Sequence, residues 1–149
     1  MYNVYIFDEC DSVISWRGNM IDIKNYETFS KIEPVNKGWS SDKKYYIETF
    51  MNERLLLRVA DIIQYAQKNS EYEIMKRLAE AGVPMSKPVD FGICDNGKSV
   101  YAIFTWCDGQ DAEIVLPKLT ENEQYMLGVK SGQILKEIHN IPAPAGQEE

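Results

Sequence analysis

Residues 43–60 read KKYYIETFMNERLLLRVA and contain two runs that favour extended backbone, joined by a short link. The first run, Lys43 to Phe50, is rich in Tyr, Ile, Thr and Phe, which suit a pleated surface. The second run, Leu55 to Ala60, predicts a mostly buried strand. Because the link is too short for a crossover helix, we expect the two strands to pair antiparallel.

The sequence on either side of this pair predicts a further strand and a helix. Upstream, residues 28–35 alternate between polar and apolar side chains and end at a turn-prone Asn-Lys-Gly. Downstream, apolar residues at helical spacing predict one packed face, formed by Ile74, Met75 and Leu78. Gly82 stands where a C-terminal cap belongs, and the helix has two start signals, at Asp61 and at Ser70.

Two more strands and a final helix complete the predicted order. Val89 to Cys94 and Ser99 to Thr105 flank Asp95-Asn-Gly97, which is a clear hairpin signal. The last helix starts at a capping box, residues 120–123 (TENE), and ends near His139. The order β-β-β-α-β-β-α predicts an α+β fold, with a five-stranded antiparallel sheet, one packed helix and a later helix.

Composition argues against several classes of function. The net charge is −7, from 16 basic and 23 acidic residues, whereas nucleic-acid binding needs a basic face. No stretch is apolar for long enough to span a bilayer, and the first residues lack the basic region of a signal peptide. Three widely spaced cysteines and one histidine, His139, cannot complete a zinc cluster, and reduced thiols favour the cytosol. We therefore expect a cytoplasmic protein without a metal site, a nucleic-acid partner or a membrane partner.

A Gly/Ser-rich turn and a charged residue in an apolar strand are candidates for phosphate binding. Residues 36–42 read NKGWSSD, and such a turn can direct backbone N–H groups and the hydroxyls of Ser40 and Ser41 at phosphate oxygens. The alternative is an ordinary hairpin loop. Arg58 shares a strand face with Leu56, and a cation there is costly unless it is paired. The alternative is an edge-strand arginine whose head group lies in water.

Glu71 is the acidic counterpart of this cation. Helical spacing places it on the sheet-facing stripe of the predicted helix, so its carboxylate needs a cation, and we expect that cation to be Arg58. Glu73 points outward instead, towards Lys76. The alternative for Glu71 is a first-turn glutamate that is favoured by the helix dipole.

This order of elements, together with these residues, resembles the N-terminal lobe of the aminoglycoside phosphotransferase family, within the protein-kinase-like fold. The resemblance extends from about Ile32 to His139. It implies that Ser40 and Ser41 belong to a nucleotide-positioning loop and that Leu56 contacts adenine. It also implies that Arg58 replaces the lysine that binds phosphate and that Glu71 holds Arg58 in place.

Residues 103–109 read IFTWCDG and resemble the hinge of that family. The resemblance implies that Phe104 lies at the back of the nucleotide pocket, that the Thr105 carbonyl and the Cys107 amide contact adenine, and that Trp106 points away. Without the resemblance, the segment reads as a strand end with an aromatic anchor.

The resemblance also implies a division of the chain and a function. Residues 21–109 would be the nucleotide-binding lobe, and residues 110–149 a linker and the first helix of a missing C-terminal lobe. Residues 1–20 lack a regular pattern, and we expect them to be an N-terminal extension. The complete enzyme would use ATP or GTP with Mg²⁺ to phosphorylate a small-molecule hydroxyl, as in antibiotic resistance by aminoglycoside phosphorylation.

The single histidine limits the chemistry that these residues can perform. His139 is followed by Asn-Ile-Pro and does not form the His-x-Asp catalytic loop of the family, so no catalytic base and no metal ligand can be assigned. We expect the 149-residue chain to bind nucleotide, to meet a small-molecule acceptor only when a C-terminal lobe is supplied, and to be inactive alone. The alternative is a non-catalytic module that binds nucleotide or another protein.

Overall fold

The computed structural model describes residues 20–38 and 40–142, and these contain a single antiparallel sheet. Its strands are β1 (Phe29–Pro34), β2 (Lys43–Thr49), β3 (Arg54–Asp61), β4 (Pro88–Cys94) and β5 (Ser99–Thr105). They lie in the order β1-β2-β3-β5-β4, and each neighbouring pair is antiparallel. The predicted α+β fold with a five-stranded antiparallel sheet is confirmed.

The helices of this region are α1 (Tyr65–Glu80), a short α2 (Ala112–Val115) and α3 (Glu121–His139). A 3-10 turn over Ile62–Gln64 leads into α1, and the side chain of Asp61 caps this turn by accepting a hydrogen bond from the Ile63 amide at 2.9 Å. Of the two predicted start signals, the structure therefore uses Asp61, whereas Ser70 lies inside α1. Gly82, with φ +85°, ends the helix as expected.

Local signals also fix the hairpin and the last helix. Asp95, Asn96 and Gly97 all have positive φ, and the Lys98 amide donates to the Asp95 carbonyl at 3.1 Å, so residues 95–98 form a tight turn between β4 and β5. The predicted capping box is present at α3, where Thr120 and Glu123 bond reciprocally between side chain and backbone.

One face of the sheet, which we call the core face, carries the main apolar core. Its buried strand residues are Tyr45, Ile47, Leu57, Cys94, Tyr101 and Ile103. Residues 20–29 cover this face, with Met20 and Ile23 buried against it and Tyr26 and Phe29 packed beside them. The Asp22 carboxylate accepts the Asp95 and Asn96 amides, both at 2.9 Å, so this segment is also anchored to the β4–β5 turn.

Residues 20–29 are therefore part of the folded unit. Met20, placed at the end of the predicted extension, lies in the core, whereas residues 1–19 are outside the described part of the chain. Cys94 is also a core residue, and burial raises the pKa of its thiol to about 12, so it packs as an apolar group. Cys10 lies outside the described residues.

The opposite face, which we call the helix face, is covered by α1. Tyr72, the buried residue of α1, packs against Phe91 and Phe104 with ring centroids 5.1 and 5.9 Å away. Tyr65 also contacts Phe91, at 5.6 Å. These aromatic contacts set the position of α1 on the sheet.

No described residue packs against the apolar stripe of α3 closely enough to bury it. No residue of α3 is buried, and Leu127 and Leu135 are 45% and 52% exposed. None of the helices within residues 20–38 and 40–142 is long and apolar enough to cross a membrane.

Two isoleucines in the first described segment test whether it belongs to the core. Ile23 is 2% exposed and Ile21 is 68% exposed. We expect Ile23→Ala to lower the free energy of unfolding by about 3 kcal/mol, because it leaves a cavity in the core. We expect Ile21→Ala to change it by less than about 0.5 kcal/mol. Urea titration of both variants measures the difference, and equal effects would contradict the packing of this segment.

Candidate functional site

A cavity of about 260 Å³ lies between α1 and the helix face of the sheet. Its apolar part is lined by Tyr72, Met75, Phe91, Ala102 and Phe104. Its charged part is lined by Asp42, Arg58, Lys68 and Glu71. An apolar pocket into which a few polar groups converge is the usual form of a small-molecule site.

The charged groups form a chain of alternating sign. Arg58 on β3 donates to Asp42 Oδ2 from Nε at 2.9 Å and from Nη2 at 2.5 Å. Lys68 on α1 donates to the same oxygen at 3.1 Å and to Glu71 Oε2 at 3.3 Å. The order Arg58–Asp42–Lys68–Glu71 therefore connects the loop between β1 and β2 with β3 and with α1.

Asp42 is the most buried member of this chain. Its side chain is 2% exposed, compared with 14% for Lys68 and 30% for Arg58. Burial alone would raise the pKa of Asp42, but the hydrogen bonds and positive charges of Lys68 and Arg58 outweigh it and hold the pKa below its ordinary value. The carboxylate is therefore charged at neutral pH. Its Oδ1 also lies within ion-pair distance of Lys68 Nζ, at 2.9 Å.

The predicted direct pair between Glu71 and Arg58 is wrong. Both side chains line the cavity, but Arg58 contacts Asp42, and Glu71 accepts hydrogen bonds from Lys68 and Gln67. Lys68 and Asp42 stand between the two groups. The outward-facing pair was predicted correctly, because Lys76 contacts Glu73 at 3.1 Å.

The loop between β1 and β2 is folded around the side chain of Lys44. The Lys44 ammonium donates to the Lys37 carbonyl at 3.1 Å and to the Ser40 carbonyl at 3.3 Å. Gly38 has φ +97°, and a Cβ at that position would lie 3.2 Å from Lys44 Nζ. Ser40 and Ser41 are exposed. The Lys37 ammonium also pairs with Asp111, which links the loop to the segment after β5.

Leu56 and Phe104 are neighbours on the helix face. Leu56 is directly opposite Phe104 on β5 and Tyr46 on β2, so the three side chains share one face. Trp106 packs against Tyr46 with ring centroids 4.8 Å apart. Trp106 was expected to point away, and this contact instead brings it to the surface that Leu56 occupies.

The remaining hinge residues lie outside the cavity. The Thr105 carbonyl accepts a hydrogen bond from the Ser86 hydroxyl, and Cys107 is exposed. Beyond them, Arg54 forms a bidentate ion pair with Asp108, at 2.6 and 2.5 Å. This pair holds the start of β3 to the segment that follows β5.

The structure thus brings three of the eight predicted site residues to one cavity: Arg58, Glu71 and Phe104. Ser40, Ser41, Leu56, Thr105 and Cys107 do not line it. Sequence reasoning missed Lys68 and the ionic role of Asp42. Lys68 could have been identified from the sequence, because it precedes Glu71 by three residues and this spacing places both side chains on one side of a helix.

No group of three or more His, Cys, Asp or Glu side chains within residues 20–38 and 40–142 could hold a metal ion. The cations Arg58 and Lys68 do suit phosphate oxygens, which are anionic and accept several hydrogen bonds.

An antiparallel five-stranded sheet with one helix on a charged, cavity-bearing face is the architecture of a kinase-like N-terminal lobe. Residues 31–149 match the phosphotransferase enzyme family, APH. The chain belongs to that family, as its element order had predicted. A search of curated proteins found no match.

The buried Asp42 carboxylate predicts a pH-dependent stability. A carboxylate with a lowered pKa contributes stability that is present above its ordinary pKa of 3.8 and is lost as the pH falls through the lower folded-state value. At neutral pH, Asp42→Asn leaves two partly buried cations without this counter-ion, and we expect it to cost about 3 kcal/mol. The difference between wild type and variant should shrink as the pH falls below 3.8.

Urea unfolding of both proteins across this pH range measures the effect. Glu73→Gln is the matched control, since the Glu73–Lys76 pair is exposed and is worth less than about 1 kcal/mol. A difference between wild type and Asp42→Asn that does not change with pH would contradict the ionic role of Asp42.

Proposed function

We propose that this chain is the nucleotide-binding portion of an ATP-dependent O-phosphotransferase that acts on the hydroxyl of a small molecule of the aminoglycoside type. Family membership supports transfer of a phosphoryl group. The observation that carries the nucleotide assignment is the convergence of Arg58 and Lys68 at the charged end of a cavity whose other walls are aromatic and aliphatic.

The nucleotide would lie along the helix face of the sheet. Its base would lie beside the cavity rather than inside it, where it would contact Leu56 and Phe104, which are paired across β3 and β5, and would bond to the backbone of Thr105 and Cys107. Its phosphates would approach Arg58, whose guanidinium can present two N–H groups to one phosphate. Glu71 would position the cations through Lys68, and Ser40 and Ser41 would contact the phosphates from the β1–β2 loop.

The Thr105 carbonyl can accept such a contact. It accepts the Ser86 hydroxyl in this structure, and a carbonyl oxygen has two lone pairs, so it can accept a second hydrogen bond. Arg54 and Asp108, bonded to each other on either side of the hinge, would keep this backbone in place.

Calorimetric titration with ATP tests nucleotide binding. We expect Arg58→Gln to weaken ATP binding at least about tenfold, since a charged hydrogen bond is worth roughly 1.5–3 kcal/mol. Arg77→Gln is the matched control, because Arg77 donates to the Pro142 carbonyl and does not line the cavity. Equal affinity of wild type and Arg58→Gln for ATP would remove the basis of the proposed site.

A second experiment tests catalysis. The one histidine of the sequence, His139, is exposed at the end of α3, and no metal-binding cluster occurs among the described residues. We therefore expect the 149-residue chain, with ATP, Mg²⁺ and an aminoglycoside, to release no ADP above background. Turnover should require addition of the C-terminal lobe of a family phosphotransferase. Robust turnover by the chain alone would contradict this part of the proposal.

A further inference from the structure

Two cations from different elements converge on one buried carboxylate. Asp42 Oδ2 accepts two hydrogen bonds from Arg58 and one from Lys68. Phosphate oxygens accept hydrogen bonds from the same two kinds of donor, a guanidinium fork and an ammonium group. The Asp42 carboxylate therefore occupies the position at which these two cations could bind an anionic group of a ligand.

We propose that Arg58 and Lys68 together form the binding site for a phosphate group of the nucleotide, and that Asp42 occupies this site until the phosphate displaces it. The inference rests on the proposed nucleotide-binding function. It adds Lys68 as a phosphate ligand and Asp42 as an internal competitor.

The charges of the cluster support this exchange. With Asp42 in place, Arg58 and Lys68 are balanced by Asp42 and Glu71, so an incoming anion meets a neutral cluster. Once Asp42 leaves, the two cations face Glu71 alone, and the site has one net positive charge. The phosphate then restores the hydrogen bonds that Asp42 gave up.

The position of Asp42, just before β2, allows its carboxylate to move away from Arg58 and Lys68. It immediately precedes Lys43, the first residue of β2 that is paired with β3, so its movement breaks no bond of the sheet. Its loop also contains Ser40 and Ser41, which are exposed. Arg58 lies within the ladder and Lys68 within the first turns of α1, so the two cations stay in place while the loop moves.

Binding of inorganic tripolyphosphate and of ATP, each measured by calorimetry, tests the role of Lys68. We expect Lys68→Gln to weaken tripolyphosphate binding at least about tenfold, and Lys68→Arg to restore most of it. Lys76→Gln is the matched control, because Lys76 lies on the same helix and pairs with Glu73 across the same three-residue spacing. It should leave the affinity unchanged.

Two measurements test the displacement of Asp42. We expect Asp42→Asn to bind tripolyphosphate about tenfold more tightly, since the variant has no carboxylate to displace. In the wild-type protein, the ¹³C resonance of the Asp42 carboxyl should shift as tripolyphosphate saturates the site, and this measurement does not depend on the folding of the Asn variant. An Asp42 resonance that stays fixed at saturation would overturn the inference.

The two probes separate this inference from the proposed function. Tripolyphosphate binding that depends on Lys68, without any ATP binding, would support the anion site and remove the nucleotide function. ATP binding of equal strength in wild type and Lys68→Gln would keep the nucleotide function and overturn the anion site. Failure of both probes to bind would overturn both.

Discussion

The carboxylate of Asp42 is the group on which the geometry of the site depends. Arg58 on β3 and Lys68 on α1 are cations that would be costly to bury unpaired, and Asp42 lies between them and contacts both. Because the three residues come from a loop, a strand and a helix, one buried anion fixes the relative position of three elements. The same contacts leave the cluster of Asp42, Arg58, Lys68 and Glu71 without net charge. An anionic ligand would therefore approach a neutral site.

The two faces of the sheet are covered by different parts of the chain, and this explains where the charged residues of the site lie. On the core face, residues 20–29 cover a continuous set of buried apolar side chains. On the helix face, the aromatic contacts of Tyr72 with Phe91 and Phe104 close only part of the surface under α1. The space that remains is the cavity, and Arg58, Lys68 and Glu71 reach it from the strand and the helix without entering the main core.

Most of the fold could be predicted from the sequence because its signals are local. The Asp95-Asn-Gly97 turn, the capping box of α3 and the glycine after α1 each depend on a few neighbouring residues, and each is present in the structure. The ionic contacts of the site could not be predicted in the same way. Helical periodicity correctly placed Glu71 on the cavity side of α1, but it carries no information about which residue of the sheet or its loops comes within reach.

The partner of Arg58 is decided by the register of β2 on β3. Lys44 is paired with Arg58, so Asp42, two residues earlier, faces the same side of the sheet and lies diagonal to Arg58. A slip of one residue would turn Asp42 to the core face, away from Arg58. The register is set at the other end of the hairpin, where Asn52 adopts φ +60° and the Thr49 amide donates to the Glu53 carbonyl at 3.0 Å. A turn at the far end of the hairpin therefore determines which acid meets the cation of the site.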